Sequence, residues 1–280
     1  MLSFDQIIPL QEQLLQWRSR NQSIALVPTM GNLHAGHLSL IDKAKQYADK
    51  TVVSIFVNPT QFVQGEDYAS YPRTLEQDVD KLEEAGIDIL FCPEVEKIYP
   101  DNMQLQTQVT VPELDSILCG KSRPGHFKGV ATVVTKLFNI VKPDIAVFGE
   151  KDYQQLLIIR RLTRDLFFRI EIISMPTVRE ADGLAISSRN NYLNPAERKI
   201  APLLFQTLKQ ILDNIMAGDT AFTQLQKNAT SKLDQAGFKT EYIRIRDAET
   251  LQKPVAGDLV ILAAAQLGMA RLIDNVLIRR

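Results

Sequence analysis

One stretch near the amino terminus limits what this chain can fold into. Residues 24–40 read as a short buried strand, a loop that contains Gly31 and Gly36, and then the first turns of a helix, since apolar residues recur at helical spacing. The start of a helix presents unpaired backbone N–H groups and a positive dipole end, and glycines let an anion approach the backbone. The pattern therefore predicts an anion-binding loop at the end of a buried strand.

Two histidines lie in this loop. His34 and His37 are three residues apart, so they fall one above the other on the first helical turn. Histidines at this spacing also occur on solvated or metal-binding helix faces, but no Cys or Glu stands nearby to complete a metal site. Pro-Thr-Met-Gly followed by His-x-Gly-His resembles the signature loop of the nucleotidylyltransferases and class I aminoacyl-tRNA synthetases.

The charge balance and the cysteines exclude several classes of protein. Lys and Arg total 32 against 33 Asp and Glu, so the chain lacks the basic surplus that nucleic-acid binding requires. No apolar run is long enough to cross a bilayer, so we expect no membrane partner. Cys92 and Cys119 form no Cys-x-x-Cys pair and are typical of a reduced compartment, so we expect a cytoplasmic protein.

After the signature loop, buried apolar runs alternate with helical patterns. The runs cover residues 52–57, 87–91, 145–148 and 170–174. This alternation predicts an α/β fold with a Rossmann-like, doubly wound parallel sheet, whose ligands bind beyond the carboxyl ends of the strands. Within it, Thr74 and Gln77 form a capping-box pattern, and residues 108–111 read as a short strand.

The pattern changes near Met175, where we place a domain boundary that divides the chain into residues 1–175 and 176–280. The second part is predicted to be a smaller α+β domain. Its helices are expected at 195–216 and 221–236, and its strands at 242–245, 259–263 and 272–278.

Five motifs occur together in the first two thirds of the chain. They are PTMGNLHAGH at 28–37, NPTQF at 58–62, RPGHFKGV at 123–130, GEKDYQQ at 149–155 and READGLAISSRN at 179–190. In this order they resemble the pantothenate synthetases, or pantoate:beta-alanine ligases. Ala35 and Ile186 depart from the acidic residue and the Met that are frequent in that family.

The resemblance implies a fold and a reaction. The family has a Rossmann-like ATP- and pantoate-binding domain and a smaller carboxyl-terminal lid domain, and it is usually homodimeric. It condenses (R)-pantoate with beta-alanine, consumes ATP, and releases AMP and pyrophosphate through a pantoyl-adenylate. Magnesium is expected with ATP, held mostly by phosphate oxygens and water. Glu66, Asp67 and Asp78 are available as ligands, and the sequence does not choose among them.

Adenylation places extra negative charge on the α-phosphate and on the departing pyrophosphate, so the site needs positive groups positioned in advance. His34, His37, Lys151 and Arg189 are therefore the predicted catalytic residues. The predicted ATP-binding residues are Met30, Gly31, His34, Gly36, His37, Gly149, Lys151, Asp152, Val178, Ile186, Ser187, Ser188 and Arg189. Asp152 either accepts from the ribose hydroxyls or caps its helix. The loop at 177–191 resembles the superfamily's second signature loop. Without the other motifs, an ordinary polar linker would explain it equally well.

Neutral amides suit the second substrate, because they bond hydroxyls and a carboxylate without neutralising the nucleophile. By resemblance, Gln61 and Gln155 bind pantoate and Met30 lines its pocket. Asn58 begins the same loop as Gln61 and is a substrate-binding candidate that would help to hold the phosphates. The alternative role of these amides is loop or turn structure. The RPGHFKGV motif contributes either anion contacts or structural support to its loop.

Two other functions compete with the ligase. A nucleotidylyltransferase that keeps the nucleotidyl group on its product shares the first loop, but it has no reason to carry Gln61 and Gln155. A nucleotide-binding regulator without turnover is disfavoured, because every expected catalytic position is filled.

Overall fold

The computed structural model describes residues 1–100, 103 and 105–280. The chain divides into two compact units. The first comprises Met1–Glu150 and Gln155–Pro176, and the second comprises Lys151–Gln154 and Thr177–Arg280. Within the described residues, no helix has the length and apolarity that crossing a membrane requires.

The first unit is built on a parallel sheet. Its strands are β1 (Leu2–Phe4), β2 (Ile24–Thr29), β3 (Lys50–Ile55), β4 (Ile89–Phe91), β5 (Ile145–Gly149) and β6 (Glu171–Met175). The strand order is β1-β4-β3-β2-β5-β6, and every recorded pairing is parallel. The order reverses between β2 and β5, as a doubly wound sheet requires. This architecture confirms the predicted fold class.

Helices connect these strands. They are α1 (Ile7–Arg18), α2 (Ala35–Tyr47), α3 (Leu75–Glu84), α4 (Val95–Ile98), α5 (Cys119–Ser122), α6 (His126–Val141) and α7 (Tyr153–Asp165). Ala25 and Val27 of β2 pack in a core with Ile41 of α2. Ile24 and Leu26, which alternate with them along β2, are also fully buried. The sheet is therefore covered on both faces, which explains why its central strands are continuous apolar runs.

The topology places three strand ends side by side. Thr29, Ile55 and Gly149 end the adjacent strands β2, β3 and β5. The loops that follow them leave from the same edge of the sheet, at the point where the strand order reverses. Ligands of open α/β sheets bind at this position.

The second unit is α+β, as predicted. Its helices are α8 (Pro195–Ile200), α9 (Leu203–Met216) and α10 (Phe222–Gln235), and its strands are β7 (Lys239–Asp247), β8 (Leu259–Leu267) and β9 (Ala270–Ile278). The strands form an antiparallel sheet in the order β7-β8-β9. Leu208 of α9 and Leu233 of α10 pack in one core with Ile261 of β8.

Three local predictions were wrong. The helix predicted at 195–216 is two helices, because Pro202 lacks the N–H that would continue the first one. Thr74 does not cap α3; its hydroxyl donates to the Asp78 carboxylate at 3.2 Å instead. Residues 108–111 form no strand, and the N–H of Val109 donates to Thr132 Oγ1 at 2.9 Å. β1 was not predicted at all.

Candidate active site

The loop after β2 is held in an unusual backbone conformation. Gly31 has φ +80° and Asn32 has φ +50°, both in the left-handed region. A Cβ at Gly31 would lie 3.1 Å from the Asp78 carboxylate, so glycine meets a conformational need and a spatial one. The N–H of Gly31 donates to Thr29 Oγ1 at 3.2 Å, which ties the loop to the end of the strand.

Two charged residues of α3 hold this loop by its backbone. The Asp78 carboxylate accepts from the N–H groups of Asn32 and Leu33, each at 2.7 Å. Lys81 Nζ donates to the carbonyl oxygen of Leu33, also at 2.7 Å. Asp78 is 1% exposed, so these are buried, charge-assisted bonds of the stronger kind. The predicted anion-binding loop therefore depends on a helix that lies outside its own motif.

The loop-holding role of Asp78 predicts the effect of an isosteric change. In Asp78→Asn an amide N–H₂ would face a backbone N–H and leave a buried donor unpaired, so we expect a loss of about 1–3 kcal/mol in unfolding free energy. Because the loop leads into His34, a predicted catalytic residue, kcat/KM for ATP, the substrate that the sequence resemblance implies, should fall as well. Denaturant titration and steady-state kinetics check both effects.

Asp80→Asn is the matched control, because Asp80 lies on the same helix but is exposed. It should leave stability and kcat/KM unchanged. Wild-type stability and kcat/KM in Asp78→Asn would show that the carboxylate does not hold the loop.

The two histidines stand at the start of α2. Their rings stack with centroids 4.1 Å apart. The backbone N–H of His34 donates to His37 Nδ1 at 3.4 Å, so in a neutral His37 ring the proton lies on Nε2. A Cβ at Gly36 would come within 3.0 Å of the His34 ring, which explains the glycine between the histidines. The arrangement offers ring N–H donors at a helix amino terminus.

The loop after β3 carries two buried amides. Asn58 is 1% exposed and Gln61 is 9% exposed. Asn58 Nδ2 donates to Gln61 Oε1 at 3.1 Å and to the carbonyl oxygen of Gly129, in α6, at 3.2 Å. Gly129 has no room for a side chain, because a Cβ there would lie 2.2 Å from the carbonyl oxygen of Thr60. The helix therefore touches this loop backbone to backbone.

The RPGHFKGV motif supports the same loop. His126 Nδ1 lies 2.7 Å from the carbonyl oxygen of Gln61, and Arg123 reaches the same oxygen at 3.4 Å. Arg123 also forms a bidentate ion pair with Glu66. Burial would raise the pKa of the Glu66 carboxyl, but the hydrogen bond and charge of Arg123 hold that pKa below its ordinary value. These contacts match the structural alternative left open for the motif.

The second unit carries most of the remaining predicted residues. Lys151 and Asp152 lie in a 3₁₀ turn, Glu150–Asp152, that directly follows β5. Lys151 is half-buried, and its carbonyl oxygen accepts from Asn275 Nδ2 at 2.9 Å. Asn275 belongs to β9, so this strand fixes the backbone of the lysine. In the first unit, Gln155 lies half-buried in the first turn of α7.

The second signature loop is a folded structure. Arg179 and Ala185 form an antiparallel bridge, and the N–H of Ile186 donates to the carbonyl oxygen of Val178 at 3.0 Å. Ser187 Oγ then caps a 3₁₀ helix, Ser188–Tyr192, by accepting from the N–H of Arg189 at 3.3 Å.

An ion pair anchors this loop. Arg179 donates to both carboxylate oxygens of Asp274, at 2.6 and 2.9 Å, and stacks 3.6 Å from the centroid of the Phe205 ring. The Asp274 side chain is 2% exposed and the Arg179 side chain 20% exposed. Asp274 and Asn275 are adjacent in β9, so one short segment holds both the second loop and the backbone of Lys151.

The structure brings the predicted residues together in two groups. In the first unit, the end of β2 and the loop after β3 carry Met30, Gly31, His34, Gly36, His37, Asn58 and Gln61, and Gly149 ends the adjacent strand β5. In the second unit, β9 holds Lys151 and the loop that contains Val178, Ile186, Ser187, Ser188 and Arg189.

Sequence reasoning missed the supporting residues. Asp78 was considered only as a metal ligand, and Lys81 and Asp274 were not considered. A signal was present for two of them. Asp78 lies on the apolar stripe of α3, three residues after Leu75 and four before Leu82. Asp274 lies two residues from Leu272 and two from Val276, so it shares a face of its strand with apolar residues. A charge at a buried position needs a partner.

The described part of the chain offers no protein cage for a metal. Among those residues, no three His, Cys, Asp or Glu side chains are grouped so that they could hold an ion. Of the carboxylates considered above, Asp78 is engaged by backbone N–H groups and Glu66 by Arg123.

Comparisons with known proteins agree over nearly the whole chain. The family model described as pantoate-beta-alanine ligase matches residues 3–277. A pantothenate synthetase of Methylococcus capsulatus is 54% identical over 271 residues, which cover 96% of this chain and 95% of that protein. One of Azotobacter vinelandii is also 54% identical, over 99% of this chain and 98% of its own.

Solved structures give the same result. A pantothenate synthetase from Thermus thermophilus is 44% identical, covers 99% of both chains and superposes with a TM-score of 0.90. A pantoate-beta-alanine ligase from Francisella tularensis, solved in complex with beta-gamma ATP and beta-alanine, is 39% identical, covers 99% of this chain and 97% of its own, and has a TM-score of 0.82.

Proposed function

The chain belongs to the pantoate-beta-alanine ligase family, and we propose how its own residues share the work of that family's reaction. The reaction is the ATP-dependent condensation of (R)-pantoate with beta-alanine to pantothenate, with release of AMP and pyrophosphate. The observation that carries the residue assignment is the alignment of three loops at adjacent strand ends, where a doubly wound sheet binds its ligands.

The positive and donor groups are assigned to the ATP phosphates. His34 and His37 donate from the amino terminus of α2, where the helix dipole adds to their effect. Lys151 supplies a point charge, and Arg189 with Ser187 and Ser188 supplies a forked cation and hydroxyls for pyrophosphate. All of these contacts strengthen as charge develops on the leaving group.

The other nucleotide contacts follow the family pattern. Asp152 accepts from the ribose hydroxyls, and Val178 lies against the adenine through its backbone. The remaining contacts come from Met30, Gly31, Gly36, Gly149 and Ile186. At the glycines, the lack of a side chain lets the nucleotide come close to the backbone.

Pantoate is assigned to the amide residues. Gln61, a buried amide in the loop after β3, and Gln155, at the start of α7, bind the pantoate oxygens, and Met30 packs against the carbon skeleton. Neutral amides leave the carboxylate nucleophilic, whereas a cation at the same place would reduce its reactivity.

Magnesium is proposed to enter with ATP. The carboxylates of Asp78 and Glu66 are already engaged by protein donors, so the phosphate oxygens and water are the expected ligands. The ion would neutralise charge on the phosphates as the pyrophosphate departs.

The proposed order of events is adenylation first. The pantoate carboxylate attacks the α-phosphorus, the bond to pyrophosphate breaks, and beta-alanine then attacks the activated carbonyl with AMP as leaving group. This order avoids direct loss of oxide from a carboxylate.

Isotope exchange tests that order. Without beta-alanine, the enzyme should exchange labelled pyrophosphate into ATP only when pantoate is present. Pantoate labelled with ¹⁸O in its carboxylate should pass one label to AMP during turnover. Unlabelled AMP together with the absence of exchange would rule out the adenylate.

Product analysis distinguishes this activity from its competitors. Incubation with ATP, pantoate and beta-alanine should give AMP and free pantothenate. A product that retains the nucleotidyl group would point to a nucleotidylyltransferase, and a complete lack of turnover to a regulator.

From the family and the cysteine usage, we also propose that the protein works in the cytoplasm as a homodimer.

A further inference from the structure

The orientation of the Gln61 side chain is fixed by its neighbours. An amide nitrogen and an amide oxygen have nearly the same shape, so their positions have to follow from partners whose roles are certain. The carbonyl oxygen of Gly129 is such a partner, because a backbone carbonyl only accepts. It lies 3.2 Å from Asn58 Nδ2, so that atom is the donor end of Asn58.

The other end of Asn58 gives the same answer. Its Oδ1 accepts from Tyr99 OH at 2.8 Å and from Thr60 Oγ1 at 2.9 Å. Burial raises the pKa of the Tyr99 phenol, so at neutral pH this hydroxyl keeps its proton. The backbone N–H of Thr60, which can only donate, also reaches Oδ1 at 3.4 Å. Both ends of Asn58 are therefore assigned independently, one by a backbone carbonyl and one by a backbone N–H.

The orientation of Asn58 fixes the orientation of the Gln61 amide. Asn58 Nδ2 lies 3.1 Å from Gln61 and donates, so the Gln61 atom that it meets is the acceptor, Oε1. Gln61 Nε2 then points the other way, where it lies 2.9 Å from Met30 Sδ. A thioether is a weak acceptor, so this nearly buried N–H₂ group has a poor partner within the protein.

We propose that Gln61 meets pantoate with its amide N–H₂ as a donor to a substrate oxygen, and that the Tyr99–Asn58–Gly129 chain sets this polarity. The inference rests on the proposed assignment of Gln61 to pantoate. It makes Asn58 and Tyr99 positioning residues, which act through Gln61 rather than by touching the substrate. A hydroxyl or carboxylate oxygen of pantoate replaces the thioether as the partner of Nε2.

This polarity has a consequence for selectivity. A site that offers a buried donor favours a substrate with lone pairs at that point and rejects one that offers only a donor or an apolar group. Pantoate, with a carboxylate and hydroxyl oxygens, meets that requirement.

The first test is kinetic. Asn58→Leu removes the donor to Gln61 Oε1 and frees the amide to turn, so KM for pantoate should rise roughly 10- to 100-fold while KM for ATP changes less than about twofold. Tyr99→Phe removes one donor to Asn58 Oδ1 but leaves the Thr60 hydroxyl as another. It should therefore raise KM for pantoate only about three- to tenfold. Tyr47→Phe, a change of the same kind at an exposed tyrosine, is the control and should leave both KM values unchanged.

The second test reads the polarity directly. In ¹⁵N–¹H spectra of the whole enzyme, the Gln61 side-chain N–H₂ signals are identified by their loss in Gln61→Leu. Adding pantoate should shift one of these protons downfield, because its thioether partner is exchanged for an oxygen. The matching signals of Asn58 should hardly move.

The outcomes separate the proposal from its premise. If Gln61→Leu leaves KM for pantoate unchanged, the assignment of Gln61 itself fails. If Gln61→Leu raises KM for pantoate but pantoate does not move the Gln61 N–H₂ signals, Gln61 binds through its oxygen and the polarity is wrong. If Asn58→Leu and Tyr99→Phe lower only the melting temperature, the Tyr99–Asn58–Gly129 hydrogen bonds stabilise the fold and do not position Gln61.

Discussion

Replacing Lys151 or His37 by alanine is expected to lower kcat about a hundred- to a thousandfold while the affinity for ATP stays near that of the wild type. The magnesium ion proposed to enter with ATP would already neutralise part of the triphosphate charge. The contacts of these two side chains therefore gain most of their strength when negative charge builds up on the α-phosphate and the leaving pyrophosphate. A group that acts in this way lowers the barrier more than it tightens binding.

The measurement pairs steady-state kinetics with an equilibrium titration of ATP. Lys227→Ala provides the control for charge loss, because Lys227 is exposed on α10 in the same unit as Lys151. It should behave as the wild type in both assays. A variant of Lys151 or His37 that loses ATP affinity but keeps kcat would contradict the role assigned to that residue.

Asp274→Ala is expected to cost the largest amount of stability. It would leave the Arg179 guanidinium, 20% exposed, without its carboxylate, and an uncompensated buried charge of this kind costs about 3–5 kcal/mol. The second signature loop loses its anchor to β9 at the same time, so kcat should also fall. Denaturant unfolding followed by circular dichroism measures the first effect, and the pyrophosphate-exchange assay measures the second.

Two comparisons isolate the cause. Asp182→Ala removes the carboxylate of an exposed pair with Arg198 in the same loop and should cost at most about 1 kcal/mol. The double variant Arg179→Met with Asp274→Leu removes both charges and should recover most of the lost stability. It should not recover activity, because the loop remains unanchored. If Asp274→Ala costs no more than Asp182→Ala, the ion pair is not what holds the loop.

Most of the fold was predictable because its signals are local. The buried runs that became β2, β3, β5 and β6 could be located from apolar and β-branched residues alone, and their alternation with helices implied a parallel sheet. β1 was missed because Leu2–Phe4 is too short for a pattern, and its partner β4 lies far along the chain. Pairing across that separation leaves no trace in the residues nearby.

The break at Pro202 is a different kind of error. The proline was visible, but the apolar periodicity on both sides was given more weight than the missing N–H. Tertiary packing kept both helices against the same core, which is why the periodicity continued across the break. Periodicity predicts which face is buried and does not guarantee a single helix.

The site was predictable where its residues lie in contiguous motifs. His34, His37, Gln61 and Lys151 belong to such motifs, so the resemblance could assign them to the site, and that assignment stays a prediction. Their supports act across long separations: Asp78 reaches Leu33 over 45 residues and Asp274 reaches Arg179 over 95. Only the fold brings these groups together, so the sequence reveals at most that a charge stands where an apolar residue is expected.

The hydrogen bonds from Asp78 and Lys81 to the signature loop affect how function should be inferred for related chains. Both residues bind backbone atoms of the loop, so their contribution to the loop cannot be read from the PTMGNLHAGH motif itself. A homologue with that motif intact could still lose the loop conformation, and with it activity, through one substitution in α3. Judging whether such a homologue is competent therefore requires inspection of positions 78 and 81 as well as of the motif.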